Sequence, residues 1–266
     1  MSYLGPLMQD WFTAWLELPI PVIVASLFAF YLGTAALMVW LTFWSSQSGR
    51  VQSLKGVVPP FFGSVGIVFG LLIAFLSNDI WDRNKQAERV VLIESDTLVA
   101  LYSLGLASGS DSKALRAAIR GYASAIVEDE WPSLQSNVRS VRTDAALNAL
   151  LRQVAMPETS KDAGIQRTML EMVLKIRSAH EDRLELSNDR TAVTKWGAVL
   201  LLALITQLAI AVVHLDKPRP QAAALFIFTL ATVSLLSLLA IHEAPFEPPL
   251  FVPPGPILDV LRQVPI

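Results

Sequence analysis

Cysteine is absent from these 266 residues, and histidine occurs only three times. Disulfide scaffolds and thiolate metal sites are thereby excluded, while the redox compartment stays open. Charge is scarce too: Asp, Glu, Lys and Arg make up 17% of the chain, against 53% apolar residues and a mean hydropathy of +0.48. That balance does not suit a soluble globule. A net charge of −2 and a pI near 5.9 speak against the basic surface that nucleic acid requires, so no nucleic-acid partner is expected. Neither a glycine-rich phosphate loop after a strand nor a nucleophile elbow is present. The histidines, His180, His214 and His242, lack the i,i+4 pairing that sets two metal ligands on one helix face, and a structural or interfacial role is expected of each. The run Glu128, Asp129, Glu130 lacks the spaced oxygens and turn glycine of a calcium loop and reads as a solvated helix end. No catalytic group, cofactor or metal site is expected, and an enzyme is the least favoured class.

What the chain does have is apolar length. Four runs without a charged side chain cover residues 19–44, 57–76, 196–215 and 222–241. At roughly 1.5 Å per residue, about 20 residues cross the ~30 Å hydrocarbon core as a helix. Pro21 lies in the first turn of the first run, where a missing N–H is harmless, and Trp40 and Trp44 fall at interface depth near its far end. A secretory signal would carry basic residues ahead of a shorter apolar core. Residues 1–18 contain no Lys or Arg, so the first run is expected to stay as an anchor. With no Asp, Glu, Lys or Arg inside the runs, a charged proton relay is not supported. Gln207, midway along the third run, is expected to tie helices together.

Between the second and third runs, residues 77–195 hold 16 of the 21 Lys and Arg. Apolar residues there recur at three- and four-residue spacing, in stripes through Trp81 to Leu104, Leu115 to Ile126, Leu147 to Val154 and Ile165 to Leu184. The last is expected to run on into the third span. The expected fold is therefore an all-α membrane protein in five parts. They are an amphipathic segment (1–18), a transmembrane hairpin (19–76), a helical cytosolic domain (77–195), a second hairpin (196–241) and a Pro-rich tail (242–266). Six cations near the ends of the middle segment (Arg83, Lys85, Arg89, Arg183, Arg190, Lys195) outnumber four on the short loops (Arg50, Lys55, Lys217, Arg219). This bias places the middle segment and both termini in the cytosol.

The second span has two distinct faces. Gly66, Gly70 and Ala74 recur every four residues and form a smooth stripe for close helix packing. Ile67, Leu71 and Phe75 repeat at the same spacing about 100° further round, as a bulky apolar ridge. Such a ridge can face lipid or neighbouring spans. Alternatively, copies from several subunits can ring an axis and form an apolar constriction that gates ions by dewetting.

The residues that follow, Phe75-Leu76-Ser77-Asn78-Asp79-Ile80-Trp81-Asp82-Arg83, resemble the Phe-x-x-Asn-x-x-aromatic-Asp-Arg pattern of bacterial bestrophins, a family of pentameric ion channels. The layout is more similar still to bestrophin-like membrane proteins long known only as a domain of unknown function. There too two spans, a helical segment and two more spans lead to a Pro-Phe tail, here Glu243-Ala244-Pro245-Phe246-Glu247. The resemblance implies a homopentamer in a bacterial inner membrane, permeated by ions, anions foremost. It also implies a pore neck of Ile67, Leu71 and Phe75, and a polar collar of Asn78, Asp82 and Arg83 beneath it. The family pattern is not matched throughout: Asn84 and Lys85 replace paired aromatics, and the acidic calcium clasp of eukaryotic bestrophins is missing, so calcium activation is not expected. From a different class, a non-conducting membrane scaffold or regulatory protein would use the same amphipathic helices to bind a partner.

Overall fold

The computed structural model describes residues 14–16, 18–54, 59–109, 113–134, 139–156, 162–189, 191–247 and 251–265. Of the expected amphipathic segment 1–18, all but 14–16 and 18 lies outside the described residues. The long helices are α1 (Ile20–Phe43), α2 (Pro59–Ala107), α3 (Lys113–Ala125), α4 (Val141–Ala155), α5 (Ala163–Asn188), α6 (Val193–Val213), α7 (Pro218–Ile241) and α8 (Gly255–Gln263). No strand occurs among the described residues. Four stretches are long and apolar enough to cross a membrane, and they include α1, the first part of α2, α6 and α7. The chain divides into two compact units.

The first unit comprises residues 1–81 and 191–243. Pro21 in α1 and Pro220 in α7 sit in first turns, where the backbone N–H has no helical acceptor to lose. Its main core joins Ile23, Leu27 and Tyr31 of α1, Ile73, Leu76 and Ile80 of α2, Trp196 and Val199 of α6, and Val233, Leu236 and Leu239 of α7. Gln207 is fully buried there: its amide donates to the Tyr31 carbonyl at 2.8 Å and to Thr229 Oγ1 at 3.2 Å, while its oxygen accepts from Thr34 Oγ1 at 2.8 Å. One amide thus ties α1, α6 and α7 together, since in an apolar interior its donors and acceptor must be met by protein.

Residues 82–190 and 244–266 form the second unit. Here the remainder of α2 packs with α3, α4 and α5 around Leu98, Leu101, Ile119, Leu150, Val173 and Ile176. Helix α2 runs without a break through the expected boundary at residue 77 and ends at Ala107, two residues before Gly109, whose φ of 66° is left-handed backbone that favours glycine. Ser140 caps α4 by accepting from Thr143 N–H, and Asp162 caps α5 by accepting from Gly164 and Ile165. The tail is part of this core: Phe246, Val252, Ile257, Val260 and Val264 are buried in it. Arg120 of α3 donates to the Leu261 and Val264 carbonyls at the open end of α8.

Two expectations are corrected. Helix α5 does not run on into α6: the backbone turns extended at Asp189, and α6 begins afresh at Val193. Thr191 N–H between them donates to the buried Glu243 carboxylate at 2.6 Å, which also accepts from Trp196 Nε1 at 3.1 Å. The acidic run 128–130 is not simply a solvated helix end. Ile126–Glu130 form a π-helical turn, whose wider winding leaves Glu128 and Asp129 exposed and buries Glu130 completely.

Candidate functional site: an exposed apolar ridge and a buried ionic cluster

Helix α2 is two-sided within the first unit. Ile73, Leu76 and Ile80 are buried, whereas Ile67, Leu71 and Phe75 expose 66, 56 and 68% of their surface in the single chain. At 100° per residue the three exposed side chains fall within an arc of about 80°, centred nearly opposite the buried ones, and the ridge rises about 12 Å along the helix. Gly66 and Gly70 have no atom within 4 Å of where a Cβ would stand, and Ala74 is exposed. Among the described residues the smooth stripe therefore has no close partner at these glycines. Asn78 is exposed, three residues beyond Phe75. Asp79 forms an ion pair with Lys195 in the first turn of α6, and the Trp81 and His242 rings meet edge to face at 4.5 Å. In the second unit Asp82 is exposed, while Arg83 is mostly covered and lies 3.7 Å from Asp189.

Chemically, the ridge offers no donor, acceptor or charge. A ring of such side chains controls passage by excluding water and does not itself choose the sign of an ion. Among the described residues, no three His, Asp or Glu side chains are placed to hold a metal ion.

The second unit contains a cluster that sequence reasoning missed. Arg183 of α5 donates from Nε to Glu94 Oε2 of α2 at 2.9 Å, and its Nη2 is 2.7 Å from Glu130 Oε1 in the π turn. Tyr122 of α3 donates to Glu94 Oε1 at 2.5 Å, and His180 Nε2 lies 2.9 and 3.1 Å from the two Glu130 oxygens. All five side chains have zero exposure. The Arg183 guanidinium also stands 5.3 Å over the Trp131 ring, which meets Phe246 of the tail edge to face at 5.8 Å.

Burial alone would push the Glu130 carboxyl up. The hydrogen bond from His180 and the charge of Arg183 outweigh it and hold Glu130 below the usual carboxylate range. For Arg183, burial is opposed by the Glu94 and Glu130 charges, and the net shift is upward. Tyr122 is driven far above its ordinary value, first by burial and then by the Glu94 charge. Placing ions at zero exposure costs several kcal/mol each, and removing one partner of such a pair typically costs about 3–5 kcal/mol.

The signal for this cluster lay in register. Glu94 sits three residues after Val91 and four before Leu98, and His180 and Arg183 continue the Val173, Ile176 face of α5. Charged residues in core positions of an amphipathic helix announce buried partners.

The sequence profile of the Bestrophin-like domain matches residues 29–257. The fold is similar to the crystal structure of a bacterial bestrophin homologue from Klebsiella pneumoniae phased on zinc, with a TM-score of 0.67 at 12% identity, covering 91% of this chain and 97% of that one. A point variant of the Klebsiella homologue gives 0.67 at 14% identity with the same coverage. A crystal structure described only as a variant membrane protein gives 0.67 at 13%, again covering 91% and 97%. No match is found among curated proteins. At these identities the structures establish a shared fold.

Proposed function

Since the chain belongs to the bestrophin-like family, we propose that this integral membrane protein is an oligomeric ion channel, with one copy of α2 from each subunit lining the pore. The observation that carries the reading is the two-sidedness of α2. Ile73, Leu76 and Ile80 anchor it to its own subunit, and Ile67, Leu71 and Phe75 stand outward in line, available to an axis. One chain offers one ridge, so a closed apolar ring requires several copies. A homopentamer is the assembly that the family resemblance favours, in a bacterial inner membrane with the second unit and both termini in the cytosol. The bare stripe at Gly66, Gly70 and Ala74 then lets a neighbouring subunit's helix approach closely.

In this reading Ile67, Leu71 and Phe75 are the neck, and Asn78, Asp82 and Arg83 form the polar collar beyond it. Preference for anions follows from the family resemblance, because an apolar neck is blind to sign. Purified protein of confirmed oligomeric state should conduct in planar bilayers, and Leu71→Ala should enlarge or unlock the current. Silent bilayers from a confirmed oligomer, wild type and variant alike, would overturn the channel and leave the scaffold.

A further inference from the structure

Arg183 is the meeting point of the second unit. Through Glu94 it holds α2, through Glu130 it holds the π turn, and through Trp131 it reaches Phe246 of the tail. Three of these chain segments adjoin spans in the sequence. Glu94 is on the same unbroken helix as Phe75, 19 residues further along. Arg183 is ten residues ahead of α6, and Phe246 is five residues beyond α7.

Stability alone does not account for an ionic cluster here. A buried ion pair commonly contributes no more than apolar packing of the same volume, and its better-attested use is to specify one arrangement among several. The charges are also unequal: two carboxylates face one guanidinium, with His180 beside Glu130 as the fourth member. The two carboxylates draw on the same cation from different elements, one on the pore helix and one on the π turn.

We propose that Arg183 is a positioning residue that clamps the cytosolic part of α2 through Glu94, and that release of this clamp shifts the channel's closed–open equilibrium. The gating half of the proposal rests on the channel reading; the clamping half does not.

Glu94→Gln in the full-length oligomer is the test. It keeps the volume and one acceptor oxygen, which can meet Arg183 Nε, but removes the charge. Open probability in planar bilayers should rise at least tenfold while single-channel conductance and permeability ratios stay as in the wild type, because the neck is untouched. Amide hydrogen exchange over residues 88–100 should quicken about tenfold, with α3 and α4 unchanged. Glu128→Gln removes the same charge at an exposed site paired with Arg142 and should leave both readouts unchanged.

Open probability within twofold of wild type would overturn the gating half, and unchanged exchange over 88–100 would overturn the clamp. Exchange that quickens equally across α2, α3 and α4 would mean loosening of the whole unit, and would also overturn it. Should Glu94→Gln fail to assemble, Tyr122→Phe removes only the hydroxyl that donates to Glu94. It should give the same pattern at about threefold, and no change in either readout would refute the proposal. If wild type and Leu71→Ala are both silent, the channel reading and the gating half fail together, and exchange alone decides the clamp.

Discussion

Replacing Arg183 with methionine, similar in length but uncharged, isolates the electrostatic role of the buried cluster. In that variant, among the described residues, Glu94 keeps only the Tyr122 hydroxyl and Glu130 keeps only His180. Two carboxylates at zero exposure then lack their shared cation. Removing one partner of a buried ionic arrangement costs about 3–5 kcal/mol. For a unit of about 130 residues this corresponds to a fall in unfolding midpoint of roughly 10–20 °C. The assay is a thermal melt of the detergent-purified oligomer, followed by far-UV circular dichroism. Adding Glu94→Gln to Arg183→Met removes one of the stranded charges and should recover about half of the loss, although more of the native cluster is gone. If Arg183→Met melted within 2 °C of wild type, or the double variant were worse than the single, the account of this cluster as mutually compensating charges would be wrong.

Three further outcomes follow from the same structure. Gln207→Leu removes the amide that bridges α1, α6 and α7, and should lower stability by about 1–2 kcal/mol in a denaturant titration; no loss would mean that the bridge is incidental. At Gly70 no described atom stands within 4 Å of a Cβ position, so Gly70→Leu should leave the subunit's fold as before while the oligomer dissociates at least tenfold more readily in native mass spectrometry; an intact oligomer would remove the stripe from the interface. Acid should destabilise the second unit. Glu130 is held low by His180 and Arg183 against its burial, and Asp144 and Glu181 are held low by hydrogen bonds from Arg139. Carboxyls depressed in the fold contribute stability above the ordinary carboxylate range, and that contribution is lost as pH falls through about 4.5 and below. Equal melting midpoints at pH 6.5 and pH 3.5 would contradict this.

The spans were legible because hydrocarbon imposes its own length on a sequence: the charge-free runs coincide closely with α1, α6 and α7. The two faces of α2 were legible for the same reason, since helical periodicity is local. Its length was harder to see. Composition changes at Ser77, but the backbone has no reason to break there, and the helix continues to Ala107. The tail's six prolines from 245 to 256 concealed Ile257, Val260 and Val264, whose spacing of three and four is that of a short core helix. The ionic cluster was least accessible. Three adjacent acids look like surface until a π turn buries the last of them, and Glu94 and Arg183 lie 89 residues apart, so their pairing depends on tertiary contact. What sequence could have signalled is that each sits in an apolar register.

A chain without cysteine makes the central claim directly testable. In bilayers, Leu71→Cys and Phe75→Cys channels should be blocked within seconds by a water-soluble, membrane-impermeant methanethiosulfonate reagent. Ile227→Cys, equally exposed on α7, should be unaffected because it meets lipid. Block at 71 and 75 but not at 227 is the result expected if α2 lines the pore. Conducting channels that ignore the reagent at both α2 positions would contradict it.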